Sequence, residues 1–171
     1  MTKDKMKKVV CQAIDEAAEK IHETVLRIES EPELGYKEMK TAAKVESYMK
    51  ELGLMPQTGL ALTGVKTCVD GGKKGPAVAV LAELDAGGTP DSPKADPLTG
   101  AAHTCGHFLQ MASMLAACTG IVKSGVMQDL AGSAVFFAVP AEEYVEIDYR
   151  KRLVKEGKIH FLGGKSELVY E

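Results

Sequence analysis

Two short, uninterrupted apolar runs constrain this chain more than any other feature. Ala77-Val78-Ala79-Val80-Leu81-Ala82 and Ser133-Ala134-Val135-Phe136-Phe137-Ala138-Val139 are too short for core helices and show no alternation of polar and apolar residues. Runs of this kind suit strands covered on both faces, as in sheets lying between helices. Each run ends on acidic residues, Glu83-Leu84-Asp85 in one case and Pro140-Ala141-Glu142-Glu143 in the other. Ligands collect beyond the carboxyl ends of strands in open α/β sheets. The two runs therefore predict both a fold and the edge of it where chemistry should gather.

The rest of the pattern supplies helices. Apolar residues at Met6, Val9, Val10, Ala13, Ile14, Ala17, Ile21, Val25 and Ile28 recur at three and four, which predicts one amphipathic helix over 4–29. Pro32 opposes its continuation. A second helix should carry Met39, Ala42, Val45, Met49 and Leu52 on one stripe, with Gly53 as its C-cap. Val65–Val69 alternates as a strand before the turn at Asp70-Gly71-Gly72. Residues 86–102 are rich in Gly, Pro, Asp and Ser and read as a long loop, of a length that in compact domains is usually functional or disordered. Helical patterns return from His107 to about Ala117 and over 146–156, and Gly163-Gly164 breaks the chain before a last short segment. Helices interleaved with strands give the α/β class, a mixed, mostly buried sheet flanked by helices.

Length and charge limit the function classes. A chain of 171 residues fits one domain. With 21 basic and 24 acidic residues the net charge is −3, so there is no basic field for nucleic acid or an anionic membrane surface. No apolar stretch approaches the ~20 residues of a membrane span. The N-terminus lacks a secretory signal pattern, and the four cysteines show no framework spacing, so a cytoplasmic location is expected. Cys11 and Cys118 fall on apolar helical faces and should behave as small hydrophobes. His22 reads as a surface residue and His160 as structural.

Three polar clusters fall at strand ends or helix starts. In His103-Thr104-Cys105-Gly106-His107, a thiol and an imidazole two residues apart offer sulfur and nitrogen donors to a borderline-soft ion. Gly106 lets the backbone take unusual dihedrals, and a helix N-terminus would favour the thiolate. Glu142 and Glu143 point in different directions, so one can hold an ion while its neighbour takes a proton from water. Asp85 suits a group that orients a ligand or a base, or equally a local turn.

In these residues the chain resembles the zinc-peptidase family of aminoacylases, carboxypeptidases and auxin-conjugate hydrolases, in its His-x-Cys-Gly-His branch. The likeness runs in order through Glu33-Leu34-Gly35-Tyr36, Thr63-Gly64-Val65, Gly75-Pro76, Val80–Ala86, His103–His107 and Pro140–Glu143. It implies a zinc-exopeptidase-like fold and hydrolysis of an amide bond in a small N-acyl amino acid or peptide. It further implies two divalent ions, zinc first, with manganese, cobalt or nickel as alternatives. By motif position Cys105, His107 and Glu143 would be metal ligands, Glu142 the general base and Asp85 the acid that supports the site, with His103 only a neighbour.

The chain also departs from the family. Phe108 and Leu109 stand where an Asp, and often a second His, usually follow, and Gly87-Gly88 replaces Leu-Pro. Family members carry further ligands, a lid and dimerisation domain and a C-terminal catalytic part. Residues 1–171 are therefore expected to be the truncated N-terminal portion of a metallo-amidohydrolase catalytic domain, poorly active alone and prone to self-association. The alternative is a non-catalytic metal-binding or interaction domain retaining the fold. A thiol hydrolase built on Cys105 is a third reading.

Overall fold

The computed structural model describes residues 1–171. Two helices come first, α1 (Lys3–Glu29) and α2 (Met39–Glu51), followed by strands β1 (Gln57–Leu60), β2 (Gly64–Asp70) and β3 (Lys73–Glu83). A two-stranded pair, β4 (Gly87–Gly88) and β5 (Ala101–Ala102), lies within the long loop before α3 (His107–Ser124). A 3-10 turn at Val126–Asp129 leads to β6 (Ala131–Val139), α4 (Ile147–Lys155) and α5 (Gly164–Tyr170). The main sheet has the order β1-β2-β6-β3, with β6 antiparallel to β2 and parallel to β3.

Parallel pairing of β3 and β6 brings both carboxyl ends to one edge, where Glu83 is opposite Val139. Helix α3 makes the crossover between them and starts at that same edge. The predicted convergence of the polar clusters thus follows from a single βαβ unit.

The principal core lies between α1, α2, α3 and one face of the sheet. Ile28, Val45, Met49, Leu84, Met111, Met114, Leu115, Cys118, Phe136 and Ala138 are almost completely enclosed there. Helix α1 turns Ala13, Ala17, Ile21, Val25 and Ile28 inward at the predicted spacing. Helix α3 runs to Ser124, well past Ala117, through Gly120. A Cβ at Gly120 would lie 2.8 Å from Val10 Cγ1, so the glycine lets α3 approach α1 closely. Tyr48 and Thr119 satisfy each other's buried hydroxyls at 2.8 Å.

Several expectations need correction. The run 77–82 is not covered on both faces. Val80 and Ala82 turn toward the helices, while Leu81 on the opposite face is 54% exposed; Val78, on the same face as Val80 but nearer the start of the strand, is 61% exposed. β3 has β6 on one side only and the helices occupy one face of the sheet, so alternate residues of an all-apolar strand face outward. Cys11 is exposed and not part of an apolar face, because α1 buries the adjacent Ala13 stripe instead. Met39 likewise opens α2 on its exposed side. The loop 86–102 is internally organised: Asp96 Oδ1 accepts from the amides of Leu98 and Thr99 and from the Thr99 hydroxyl.

A second, smaller core joins Tyr36, Ala61, Ala141, Leu153 and Ile159. Two ionisable residues, Glu38 and Arg150, are wholly buried around it. Burial pushes the Glu38 carboxyl up to about 7, against hydrogen bonds from the Thr63 hydroxyl and the Ala141 amide that favour its charged form. A carboxyl whose pKa is raised on folding costs stability as pH climbs from its unfolded value of about 4.5 to about 7. Glu38→Gln keeps an acceptor for Ala141 and a donor for Thr63. It should match the parent at pH 5 and exceed it at pH 8 by about 3 kcal/mol; denaturant titrations at the two pH values check this, and a pH-independent difference would contradict it.

Candidate metal centre

Asp85 and His107 form the middle of the site. Asp85 lies just beyond β3 and is fully buried; His107 is the first residue of α3 and is 2% exposed. Gly106, which precedes it, has φ of 96°, a left-handed conformation that turns the chain into the helix and that favours glycine. The His107 imidazole Nδ1 lies 2.8 Å from the Asp85 carbonyl oxygen. A carbonyl can only accept, so Nδ1 carries a proton and donates it there. Asp85 Oδ1, 3.4 Å from the same nitrogen, is buried without a hydrogen-bond partner. Its Oδ2 accepts from the backbone amide of Glu143 at 2.9 Å.

That arrangement turns Nε2 toward a group of carboxylates. Glu83 Oε2 is 3.0 Å from it, Glu142 Oε2 3.8 Å and Glu143 Oε1 4.0 Å. Burial alone would lower the imidazole pKa. The Asp85 carboxylate and carbonyl, with Glu83 beside them, outweigh it and raise the ring to about 9.

Cys105 is exposed, two residues before the first residue of α3. Its Sγ, a His107 ring nitrogen and a Glu143 carboxylate oxygen all lie within 4.8 Å of one another. A zinc ion with bonds of ~2.0–2.3 Å spreads its donors to roughly 3.5–4 Å, so closure onto an ion needs only small side-chain adjustment. Glu83, His107 and Glu142 make a second donor group of the same size. The Glu143 carboxylate pushes the Cys105 thiol up to about 11, with some help from burial. The nearby carboxylates outweigh the α3 terminus expected to favour a thiolate. A thiol held protonated is a poor nucleophile, which weighs against a thiol hydrolase.

The structure therefore brings Asp85, Cys105, His107, Glu142 and Glu143 to one sheet edge. His103 belongs to neither donor group; its ring packs against Phe108 with centroids 5.8 Å apart, and burial depresses its pKa to about 4. His22 is exposed. His160 is paired at 3.0 Å with Glu167, which also accepts from the His160 and Phe161 amides. Two members of the site were not singled out from sequence. Glu83 reaches His107, and Lys165 on α5 pairs with Glu83 and lies 4.0 Å from Glu142. The final Glu of the β3 run was a visible signal for the first, whereas nothing local marked Lys165.

Known proteins share this arrangement of sequence and fold. No protein-family model matches the chain. A Bacillus subtilis protein carrying the name amidohydrolase YhaA is 32% identical over 142 residues, covering 81% of this chain and 35% of that protein. The N-acetylcysteine deacetylase of the same organism is 30% identical over 119 residues, covering 66% of this chain and 30% of its own length. The crystal structure of the B. subtilis YXEP protein, described as a dinuclear metal-binding peptidase from the M20 family, superposes with a TM-score of 0.63 at 25% identity. That match covers 81% of this chain and 39% of the other. The chain is thus a relative of the M20 amidohydrolases and peptidases over most of its own length. It spans about a third of the length of these relatives.

In metal-free protein the His107 ring should titrate near pH 9, followed by its NMR carbon-bound proton signals. A midpoint near the ordinary ~6.5 would contradict the pairing with Asp85 and Glu83.

Proposed function

We infer that this chain carries part of the metal site of an amidohydrolase that cleaves small N-acyl amino acids or peptides. The observation that supports it most directly is the Cys105–His107–Glu143 donor group beside a part-exposed carboxylate, Glu142. Sulfur, nitrogen and oxygen donors suit zinc, and manganese, cobalt or nickel fit the same set. Four carboxylates lie within 4.0 Å of one imidazole, with Lys165 as the neighbouring ammonium, so a divalent cation would relieve concentrated negative charge. The unpartnered Asp85 Oδ1 adds acceptor capacity behind His107.

A bound divalent ion supplies Lewis acidity, lowering the pKa of water and polarising an amide carbonyl. The chain's own residues do the remaining work. Asp85 keeps the Nδ1 proton in place and leaves Nε2 free for coordination. Lys165 holds Glu83, which can swing from Nε2 without being left unpaired. Glu142, 39% exposed, takes the proton of the attacking water and returns it to the departing amine.

The one-third coverage of the relatives supports reading residues 1–171 as the N-terminal portion of a larger catalytic domain, with further ligands elsewhere. The outward apolar residues and free edge of β3 support self-association of the isolated chain. No helix is long and apolar enough to cross a membrane. Four unpaired cysteines, three of them exposed, fit a reducing compartment, and we place the protein in the cytoplasm.

Two measurements test this reading. In an enzyme extended to the length of its relatives, Glu142→Gln should lower kcat for N-acetyl amino acids by about 10²-fold or more while metal content stays unchanged; parent-like turnover would remove Glu142 from the role. The isolated chain should sediment as a dimer or larger species at high concentration, and Leu81→Lys should shift it toward monomer. A clean monomer in the unmutated chain would contradict the proposed association.

A further inference from the structure

We propose that Arg150 and Glu38 are positioning residues which clamp the backbone after β6 and so set the directions of Glu142 and Glu143. The inference rests on the functional reading above for its consequence, while its geometry is independent of any metal. Ala141 adopts φ of 52°, a left-handed conformation unfavourable for a residue with a Cβ, so its surroundings must hold it there. Glu38 Oε1 accepts from the Ala141 amide at 2.7 Å. On the other side of the same residue, Arg150 Nη1 donates to the Ala141 carbonyl at 3.3 Å and to Leu162 O at 2.6 Å. Arg150 Nη2 donates to the Glu143 carbonyl. The Glu143 amide, in turn, is held by Asp85. Both polar groups of Ala141 and both of Glu143 thus meet ionisable side chains from outside the segment, the two carbonyls also accepting from the Gly164 amide at 3.1 Å and the Val145 amide at 2.9 Å, while the Glu142 and Glu143 side chains remain part-exposed.

The surroundings are shaped for this clamp. A Cβ at Gly35 would lie 2.3 Å from Arg150 Nη2 and 2.9 Å from Ala141 Cα, so any side chain there would displace the guanidinium. The Tyr36 ring packs 5.4 Å from the guanidinium carbon. The Glu33-Leu34-Gly35-Tyr36 turn, with Glu38 just beyond it, thus has a specific task at the site some hundred residues later in the sequence. A wholly buried guanidinium is costly to desolvate, and its planar array of donors is suited to gathering several carbonyls at once. Lysine, with a single ammonium, can meet only some of them.

The test compares Arg150→Met, Arg150→Lys, Glu38→Ala and Glu38→Gln in the chain as it stands, with two readouts. The first is amide hydrogen exchange without metal. Arg150→Met and Glu38→Ala should speed exchange at Glu143 tenfold or more and leave Val45, Met111 and Phe136 in the principal core unchanged. The second is zinc affinity by competition with a chelator, which should fall at least tenfold in the same two variants. Arg150→Lys should recover part of both effects, and Glu38→Gln, which keeps the acceptor for the Ala141 amide, should show no faster Glu143 exchange and no weaker zinc binding than the parent. Should Arg150→Met fail to fold, Glu38→Ala and Arg150→Lys carry the comparison. Parent-like exchange at Glu143 together with parent-like zinc affinity in folded Glu38→Ala and Arg150→Lys would overturn the proposal. A parent chain that binds no zinc, yet shows the expected exchange pattern, would retain the clamp and remove the metal reading.

Discussion

The contact between His107 Nδ1 and the Asp85 carbonyl is the constraint on which the site depends. It joins the end of β3 to the start of α3, keeps a proton on Nδ1, and leaves Nε2 facing Glu83, Glu142 and Glu143. Without it the imidazole could rotate and Nε2 would lose its fixed direction toward the carboxylates. With it, one buried ring becomes the common member of both donor groups. Asp85 extends the same order to β6 by accepting from the Glu143 amide. A single acid thus ties together the three segments that the βαβ topology delivers to one edge.

The fold and the site are stabilised by different means. The principal core, between three helices and one face of the sheet, is apolar and tightly packed, and it contains no member of the site except through the ends of its elements. Around the second core, buried charged and polar groups do the holding: Glu38 and Arg150 on backbone groups, and Glu167 on the 160–161 segment. Such groups are expensive to enclose and are retained where direction matters more than burial. This division lets the site be specified by hydrogen bonds while the hydrophobic core supplies the stability.

Much of this was legible in the residues. The two apolar runs located β3 and β6, the three-four spacing located α1, and acids at strand ends marked Asp85, Glu142 and Glu143 before any coordinates. The burial of β3 was not legible. An all-apolar strand says that both its faces favour cover, but it does not say that the cover is present, and here Leu81 faces outward and Val78 is left exposed nearer the strand's start. Arg150 and Lys165 were also invisible, because in sequence Arg150 is one of four cations on α4 and Lys165 is a lone cation in a short helix with no motif around it. Only the tertiary path that brings α4 behind Ala141 and α5 beside Glu83 separates them from the rest. Cys11 is exposed although the buried stripe of α1 falls where its spacing predicts, because the cysteine lies outside that three-four series.

The most direct test of the account is a crystal of the chain soaked in zinc, with anomalous scattering recorded at the zinc edge. The account predicts a peak bonded to Cys105 Sγ, His107 Nε2 and a Glu143 oxygen, with His107 Nδ1 still on the Asp85 carbonyl. A peak elsewhere, or none at that position with zinc bound at other surface groups, would contradict it.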